Sequence, residues 1–184
     1  MFLQDDLTEY EAYLMHSFLG AMNTTTRLPE SLNYIQHGST SVYEHSVNVA
    51  CTSLKIAYFL KKTLHFYIDV HSLVRGALLH DYFLYDWHEN EPWHRWHGFR
   101  HPFFALMNAR KVCSLTPTEV DIIIHHMFPL TLIPPHTPEG IIVMIADKLC
   151  ALYETFRMNE KKAPLWQRRW YRQLRPCLAT ISPK

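Results

Sequence analysis

Apolar residues recur at intervals of three and four along most of this chain, which is the spacing of one face of an α-helix. In the clearest run, residues 41–62, Val42, His45 and Val49 share the face that also carries Ile56 and Leu60. The same spacing predicts further helices at about residues 5–22, 69–81, 101–112, 117–127 and 139–157. Strand-like alternation is weak throughout, so the predicted fold class is all-α, a helical bundle.

The segments between these helices are polar or rich in turn-forming residues. We predict a loop with one short helical turn at residues 23–40, and a long functional loop at residues 82–100, which Pro92 and Gly98 interrupt. The first helix can begin either at Asp5-Asp6 or at Thr8 with Glu11.

The chain length fits a single domain, residues 1–184, with its core at about residues 40–157. The N-terminal helix (residues 5–22) and a short basic-aromatic helix at residues 164–174 are then extensions of that core.

Composition narrows the class of protein. With 48% hydrophobic and 19% charged residues the chain is an ordinary globular protein. A net charge of +1 gives no electrostatic case for nucleic-acid binding, and no apolar run approaches the roughly 18 residues of a membrane span. The four cysteines are far apart and form no CxxC pair, which favours a reducing, cytoplasmic location.

Histidine is the outlier, with thirteen residues. The pair His80-Asp81 directly follows the apolar helical run LVRGALL, and matching residues lie far away in the chain, in or beside other predicted helices. These are His45, His101, His125, His126 and Asp147. Imidazole and carboxylate groups that converge inside a helical bundle suit divalent transition metals, whereas a buried carboxylate without a cation is costly. The sequence therefore predicts a metal centre in the bundle interior.

The order His, His-Asp, His, His-His, Asp resembles the HD superfamily of metal-dependent phosphohydrolases. The resemblance covers roughly residues 40–157, through VYEHSVNVA, ALLHD, RHPFFALMNA, IIIHHM and VMIADK. The additional histidines are similar to the binuclear branch, which includes HD-GYP cyclic-dinucleotide phosphodiesterases and HD-type hydrolases of dinucleoside tetraphosphates. Leu84 stands where an HD-GYP protein has lysine, and MFPLT follows His126 in place of GYP, which argues against cyclic-dinucleotide cleavage.

Carried over residue by residue, the resemblance implies two divalent ions of Fe, Mn, Zn, Co or Ni. One ion would be held by His45, His80, Asp81 and Asp147. The other would share Asp81 as a bridge and bind His101, His125 and His126. His97 competes with His101 for this second ion, although His101 begins a continuous helix and His97 lies beside Gly98 in the predicted loop.

The function that the resemblance implies is hydrolysis of a phosphoester or phosphoanhydride bond in a small phosphorylated metabolite, a nucleotide or dinucleotide, by a metal-bound hydroxide. Asp81 is catalytic as the bridging ligand, and His97 is the first candidate for proton donor. Cationic side chains suit a phosphate dianion, so the predicted substrate contacts are His88, His94, Arg95, Arg100 and Lys148. The rivals are a di-iron oxygenase of the same fold and a non-enzymatic nucleotide sensor.

Overall fold

The computed structural model describes residues 8–89 and 91–156. Its regular elements, in chain order, are α1 (Glu9–Thr25), a 3₁₀ helix (Leu28–Asn33), β1 (Ile35–His37), β2 (Thr40–Ser41), α2 (Val42–Leu64), α3 (Val70–Leu79), a 3₁₀ helix (Pro92–His94), α4 (His97–Val112), α5 (Pro117–His125) and α6 (Pro138–Phe156). The predicted all-α class is confirmed, since the one sheet found in this part of the chain is a two-stranded hairpin.

Three of the helices begin with a reciprocal capping box, in which a hydroxyl accepts from a backbone amide and a glutamate three residues later accepts in return. The pairs are Thr8 with Glu11 in α1, Ser41 with Glu44 in α2, and Thr116 with Glu119 in α5. Of the two starts predicted for the first helix, the structure therefore uses Thr8.

Helix α2 is the centre of the bundle and packs against both α3 and α6. Helices α3 and α5 approach closely at Gly76, where an added Cβ would lie 2.5 Å from Cδ1 of Ile122. A larger residue at this position would force the Ile122 side chain to move, so glycine allows the close approach. The close approach brings the end of α3, which carries His80 and Asp81, beside the end of α5.

Two predicted segments differ from the structure. Residues 23–40 contain the predicted helical turn as the 3₁₀ helix, but also a hairpin that the weak alternation concealed. Helix α4 begins at His97, four residues before the predicted start, so His97 lies in the first turn of a helix and not in a loop. His97 and His101 are therefore one helical turn apart on the same face.

None of the helices in the described part of the chain has the length and apolar character that a membrane span requires. The predicted helix at residues 164–174 lies outside the described residues. The division of residues 1–184 into one core with two extensions stays a prediction.

Candidate metal centre

The structure brings the predicted metal ligands together from α2, the end of α3, α4, the end of α5 and α6, with the exception of His125. The converging residues, which we call the metal group, are all buried: His45, His80, Asp81, His101, His126 and Asp147. The carboxylate of Asp81 lies in the middle of the group.

One side of the group surrounds Oδ2 of Asp81. Nε2 of His80 lies 3.4 Å from this oxygen and Nε2 of His45 lies 3.8 Å from it. Asp147 closes the same side, with its Oδ1 3.1 Å from Nε2 of His45 and 3.8 Å from Nε2 of His80. The ligand atoms of His45, His80 and Asp81 all lie within 4.8 Å of one another, and Asp147 adjoins this set through the two histidines.

The other side surrounds Oδ1 of Asp81. Nε2 of His101 lies 3.1 Å from this oxygen and Nε2 of His126 lies 3.5 Å from it. Each carboxylate oxygen of Asp81 therefore faces its own pair of imidazoles, which is the geometry that a bridging ligand requires.

The imidazole rings are oriented by hydrogen bonds at their far nitrogens. Nδ1 of His80 donates to the carbonyl of Ala77 (2.7 Å), Nδ1 of His101 donates to the carbonyl of His97 (3.0 Å), and Nδ1 of His126 donates to the carbonyl of Ile123 (2.8 Å). A proton at Nδ1 leaves the lone pair of a neutral ring at Nε2, directed at Asp81. This outer hydrogen bonding is the usual arrangement of histidines that bind metals.

His45 is held by a carboxylate instead. Its Nδ1 lies 2.8 Å from Oε2 of Glu154, whose other oxygen accepts from Nδ2 of Asn48 at 2.9 Å. Burial alone would lower the pKa of His45, but Glu154 and Asp147 raise it well above its ordinary value. In the absence of a metal the ring therefore holds a proton in the position where it would bind a cation, and metal binding would release that proton.

Several close contacts in the group lack a hydrogen that would satisfy them. Nε2 of His101 and Nε2 of His126 are 2.9 Å apart, although both rings carry their proton at Nδ1. Burial lowers the pKa of His126 to about 4, so this ring is neutral at neutral pH. Within the described residues, Nε2 of His80 and Oδ1 of Asp81 have no hydrogen-bond partner although both are buried. The lone pairs of His101, His126 and Oδ1 of Asp81 that converge in this way fit one cation, and the carboxylate oxygens beside His45 and His80 fit a second cation on the other side of Asp81.

His125 does not belong to this group, and we correct the ligand prediction accordingly. Adjacent residues of a helix point about 100° apart, and with His126 turned towards Asp81 the ring of His125 turns towards Asp121. Its Nδ1 lies 2.8 Å from Oδ1 of Asp121, to which Nδ1 of His136 also comes within 3.1 Å.

The carboxylate of Asp121 is itself engaged at the start of α6. It accepts from the backbone amides of His136 and Thr137 and from the hydroxyl of Thr137. These three residues and His125 thus tie the end of α5 to the start of α6. We interpret this second cluster as structural, because the Asp121 oxygens are already used by donors of the chain.

The adjacent histidines provide a matched pair of variants. We expect His126→Ala to weaken binding of one metal ion by more than about 100-fold, since a direct ligand matters more than an outer contact. We expect His125→Ala to keep the metal content of the wild type. Elemental analysis of both purified variants checks this, and a loss of metal in His125→Ala alone would return that residue to the ligand set.

Four residues of the metal group, Asp81, His101, His126 and Asp147, line a cavity of about 890 Å³. Two of the predicted substrate contacts, His94 and Lys148, line this cavity. His88, Arg95 and Arg100 do not belong to its lining and are exposed to solvent. His88 pairs with Asp86, and the guanidinium of Arg100 lies 5.5 Å from the centre of the Phe104 ring. We therefore remove His88, Arg95 and Arg100 from the predicted substrate contacts. Arg100 points outwards because α4 begins earlier than predicted.

His97 lines the cavity as part of a ring stack. Its imidazole stacks with Trp87 (centroids 5.1 Å, 11°) and with His101 (4.7 Å, 22°), and the Tyr85 hydroxyl lies 2.9 Å from its Nδ1. Burial lowers the pKa of His97 to about 3, so the ring is neutral at neutral pH. A neutral, stacked imidazole favours a role as a substrate contact over the role of proton donor that the sequence suggested.

Sequence analysis did not identify several residues of the site. Gln36 and His37 line the cavity from the hairpin, and Glu154 and Asn48 support His45 from behind. Glu154 shares a face of α6 with Asp147, seven residues earlier, which is a signal that could have found it. No comparable periodicity marks Gln36.

The model of the HD domain family matches residues 42–152, which is more than half of the chain. The chain belongs to the HD domain family. Neither a curated protein nor a solved structure matches the chain. The HD match covers every residue of the metal group, from His45 to Asp147, and it leaves the hairpin residues Gln36 and His37 outside.

Proposed function

We propose that this HD-domain protein is a phosphohydrolase with two divalent metal ions, and that it cleaves a phosphoester or phosphoanhydride bond in a nucleotide or dinucleotide. The observation that carries the proposal is the position of Asp81. Its Oδ2 faces His45 and His80, and its Oδ1 faces His101 and His126. A shared carboxylate between two ligand sets is the arrangement of two-metal hydrolytic sites.

The residues present fit this role. His45, His80, Asp81 and Asp147 would hold one ion, and Asp81, His101 and His126 the other. When bound, the ions would supply an activated water and would neutralise negative charge on the phosphoryl group. Fe, Mn, Zn, Co and Ni all accept such mixed imidazole and carboxylate ligands.

The cavity above the group supports a substrate of nucleotide size. Its volume of about 890 Å³ lies at the upper end of the range of roughly 300–1,000 Å³ for small-molecule sites. Trp87 and His97 present stacked rings on one wall, and Met127, Pro129 and Leu130 make another part of the lining apolar. Flat aromatic rings beside a charged floor suit a base that is attached to a phosphate.

Lys148 is the proposed phosphate contact. Its Nζ donates to the carbonyl of His126 (2.9 Å) and lies 3.3 Å from Oδ2 of Asp147, so the ammonium group is held at the edge of the metal group. Among the described residues of the cavity lining, it is the one lysine or arginine.

We expect Lys148→Ala to raise KM for the phosphorylated substrate about 10- to 100-fold, because a hydrogen bond to a charged group contributes about 1.5–3 kcal/mol. Steady-state kinetics at saturating metal would measure the change. The double variant Arg95→Ala/Arg100→Ala removes two exposed cations outside the cavity and serves as the control, with an unchanged KM. An effect in the double variant and none in Lys148→Ala would place the phosphate elsewhere.

The experiment that tests the proposed function is a hydrolysis screen. The metal-free protein would be loaded separately with Fe, Mn, Zn, Co and Ni and assayed against mono-, di-, cyclic and dinucleoside polyphosphates. We expect release of phosphate or of a nucleotide product with at least one metal. If every phosphorylated compound stays intact while the iron form consumes oxygen, the protein is an oxygenase and the proposal is wrong. Tight nucleotide binding without turnover would indicate a sensor.

We also propose a cytoplasmic location and a small phosphorylated molecule as the binding partner. The free thiols Cys51, Cys113 and Cys150 support the former, since they suit a reducing compartment. The net charge of +1 supports a small molecule over nucleic acid.

A further inference from the structure

The hairpin formed by β1 and β2 lies just before the part of the chain that the HD family model matches, residues 42–152. The carbonyl of Tyr34, directly before β1, accepts a hydrogen bond from the amide of Val42 at the start of α2 (2.8 Å), and Ile35 pairs with Ser41 across the hairpin. Along β1, the side chain of Gln36 is buried while that of its neighbour Ile35 is exposed. The hairpin thus directs the side chain of Gln36 inwards.

That side chain reaches the bridging carboxylate. Nε2 of Gln36 donates to Oδ2 of Asp81 at 2.6 Å, and the residue is 7% exposed. The contact fixes the orientation of the amide, because an amide oxygen at this distance from a carboxylate would be repelled. Gln36 therefore donates a hydrogen bond to the metal group from outside the segment that the HD family model matches.

The other end of the amide has no partner. Oε1 of Gln36 is buried and makes no hydrogen bond with the described residues, and Gln36 and His37 both line the cavity. Leaving a buried acceptor unsatisfied costs stability, and an apolar side chain of similar size would avoid this cost. Packing alone therefore does not account for glutamine at this position.

We propose that Gln36 is a positioning residue of the metal centre, which holds the Asp81 carboxylate in the orientation that lets its two oxygens serve two ions. The inference rests on the two-ion centre of the proposed function, but not on hydrolysis. It makes the hairpin, outside the HD match, a working part of the site.

Two variants separate positioning from packing. In Gln36→Leu the donor is lost and the unsatisfied acceptor disappears. We expect the metal-free protein to melt close to the wild-type temperature, because the loss of the hydrogen bond to Asp81 and the removal of the unsatisfied acceptor offset each other. Its affinity for Mn²⁺ should fall about 10- to 100-fold, the usual effect of losing a contact to a metal ligand. A purely structural residue would lose stability and keep the affinity.

In Gln36→Glu the shape is kept and a like charge faces Asp81. At about pH 8 we expect the metal-free variant to melt below the wild type, and Mn²⁺ to raise its melting temperature more than it raises that of the wild type, since a cation relieves the repulsion. Ile35→Ala, on the exposed side of the same strand, is the control for disturbance of the hairpin and should bind Mn²⁺ like the wild type.

Calorimetric titration of Mn²⁺ into the metal-free proteins and thermal melting with and without Mn²⁺ give the two readouts. Unchanged Mn²⁺ affinity in Gln36→Leu, or an equal loss in Ile35→Ala, would overturn the proposal. If the wild type binds no Mn²⁺, Zn²⁺ or Co²⁺, the positioning role fails together with the metal centre. If it binds metal and hydrolyses nothing, the proposed function alone fails.

Discussion

The Asp81→Ala variant is expected to lose both metal ions and to fall below the detection limit of a hydrolysis assay. Asp81 is 2% exposed, and its two oxygens face different pairs of imidazoles, so that removing one carboxylate takes a ligand from both ions. No other residue of the group has this double position. Elemental analysis after purification in excess metal would measure the loss.

Asp86→Ala is the matched control, because Asp86 lies five residues later in the chain, outside the cavity, and pairs with His88. It should keep the metal content and activity of the wild type. Circular dichroism should show both variants helical. Full metal content in folded Asp81→Ala would show that the carboxylate does not bridge.

The second large effect is expected from His101→Ala, compared with His97→Ala. His101 directs its Nε2 at Asp81, so its removal should empty the second ion position and leave about one ion per chain. The His97 side chain does not belong to the metal group. Its backbone carbonyl accepts the hydrogen bond that orients His101, and this carbonyl is still present in His97→Ala. That variant should keep both ions and bind nucleotides more weakly, because the stack on Trp87 is lost.

Metal analysis and nucleotide binding by calorimetry distinguish the two histidines. The opposite pattern, with one ion lost in His97→Ala and none in His101→Ala, would exchange their roles. Loss of metal from both variants would mean that the stack itself supports the centre.

The helical spacing and the HD-type order of His and Asp residues were enough to predict the fold class and most of the group around Asp81. They could not decide the direction of individual side chains at helix ends. His125 and His126 are adjacent at the end of α5, and the hydrophobic pattern stops there. The Asp121–His125 spacing of one helical turn was the available signal that His125 has another partner.

The substrate contacts were harder to predict because they depended on where α4 begins. Pro92 and Gly98 suggested a loop through Arg100, whereas the structure starts the helix at His97 and leaves Arg100 exposed. The role of Gln36 could not be predicted for a different reason. It comes from a three-residue strand, too short for periodicity to mark, and its partner Asp81 is 45 residues away.

The most direct test of the central claim, a two-ion centre bridged by Asp81, is a crystal of the metal-loaded protein measured at the absorption edge of the bound metal. We predict two anomalous peaks per chain, about 3.5–4 Å apart as in other two-metal sites. One should lie among His45, His80 and Asp147, and the other beside His101 and His126, with an Asp81 oxygen on each. A single peak, or two peaks of which one lies at His125 and His136, would contradict the account.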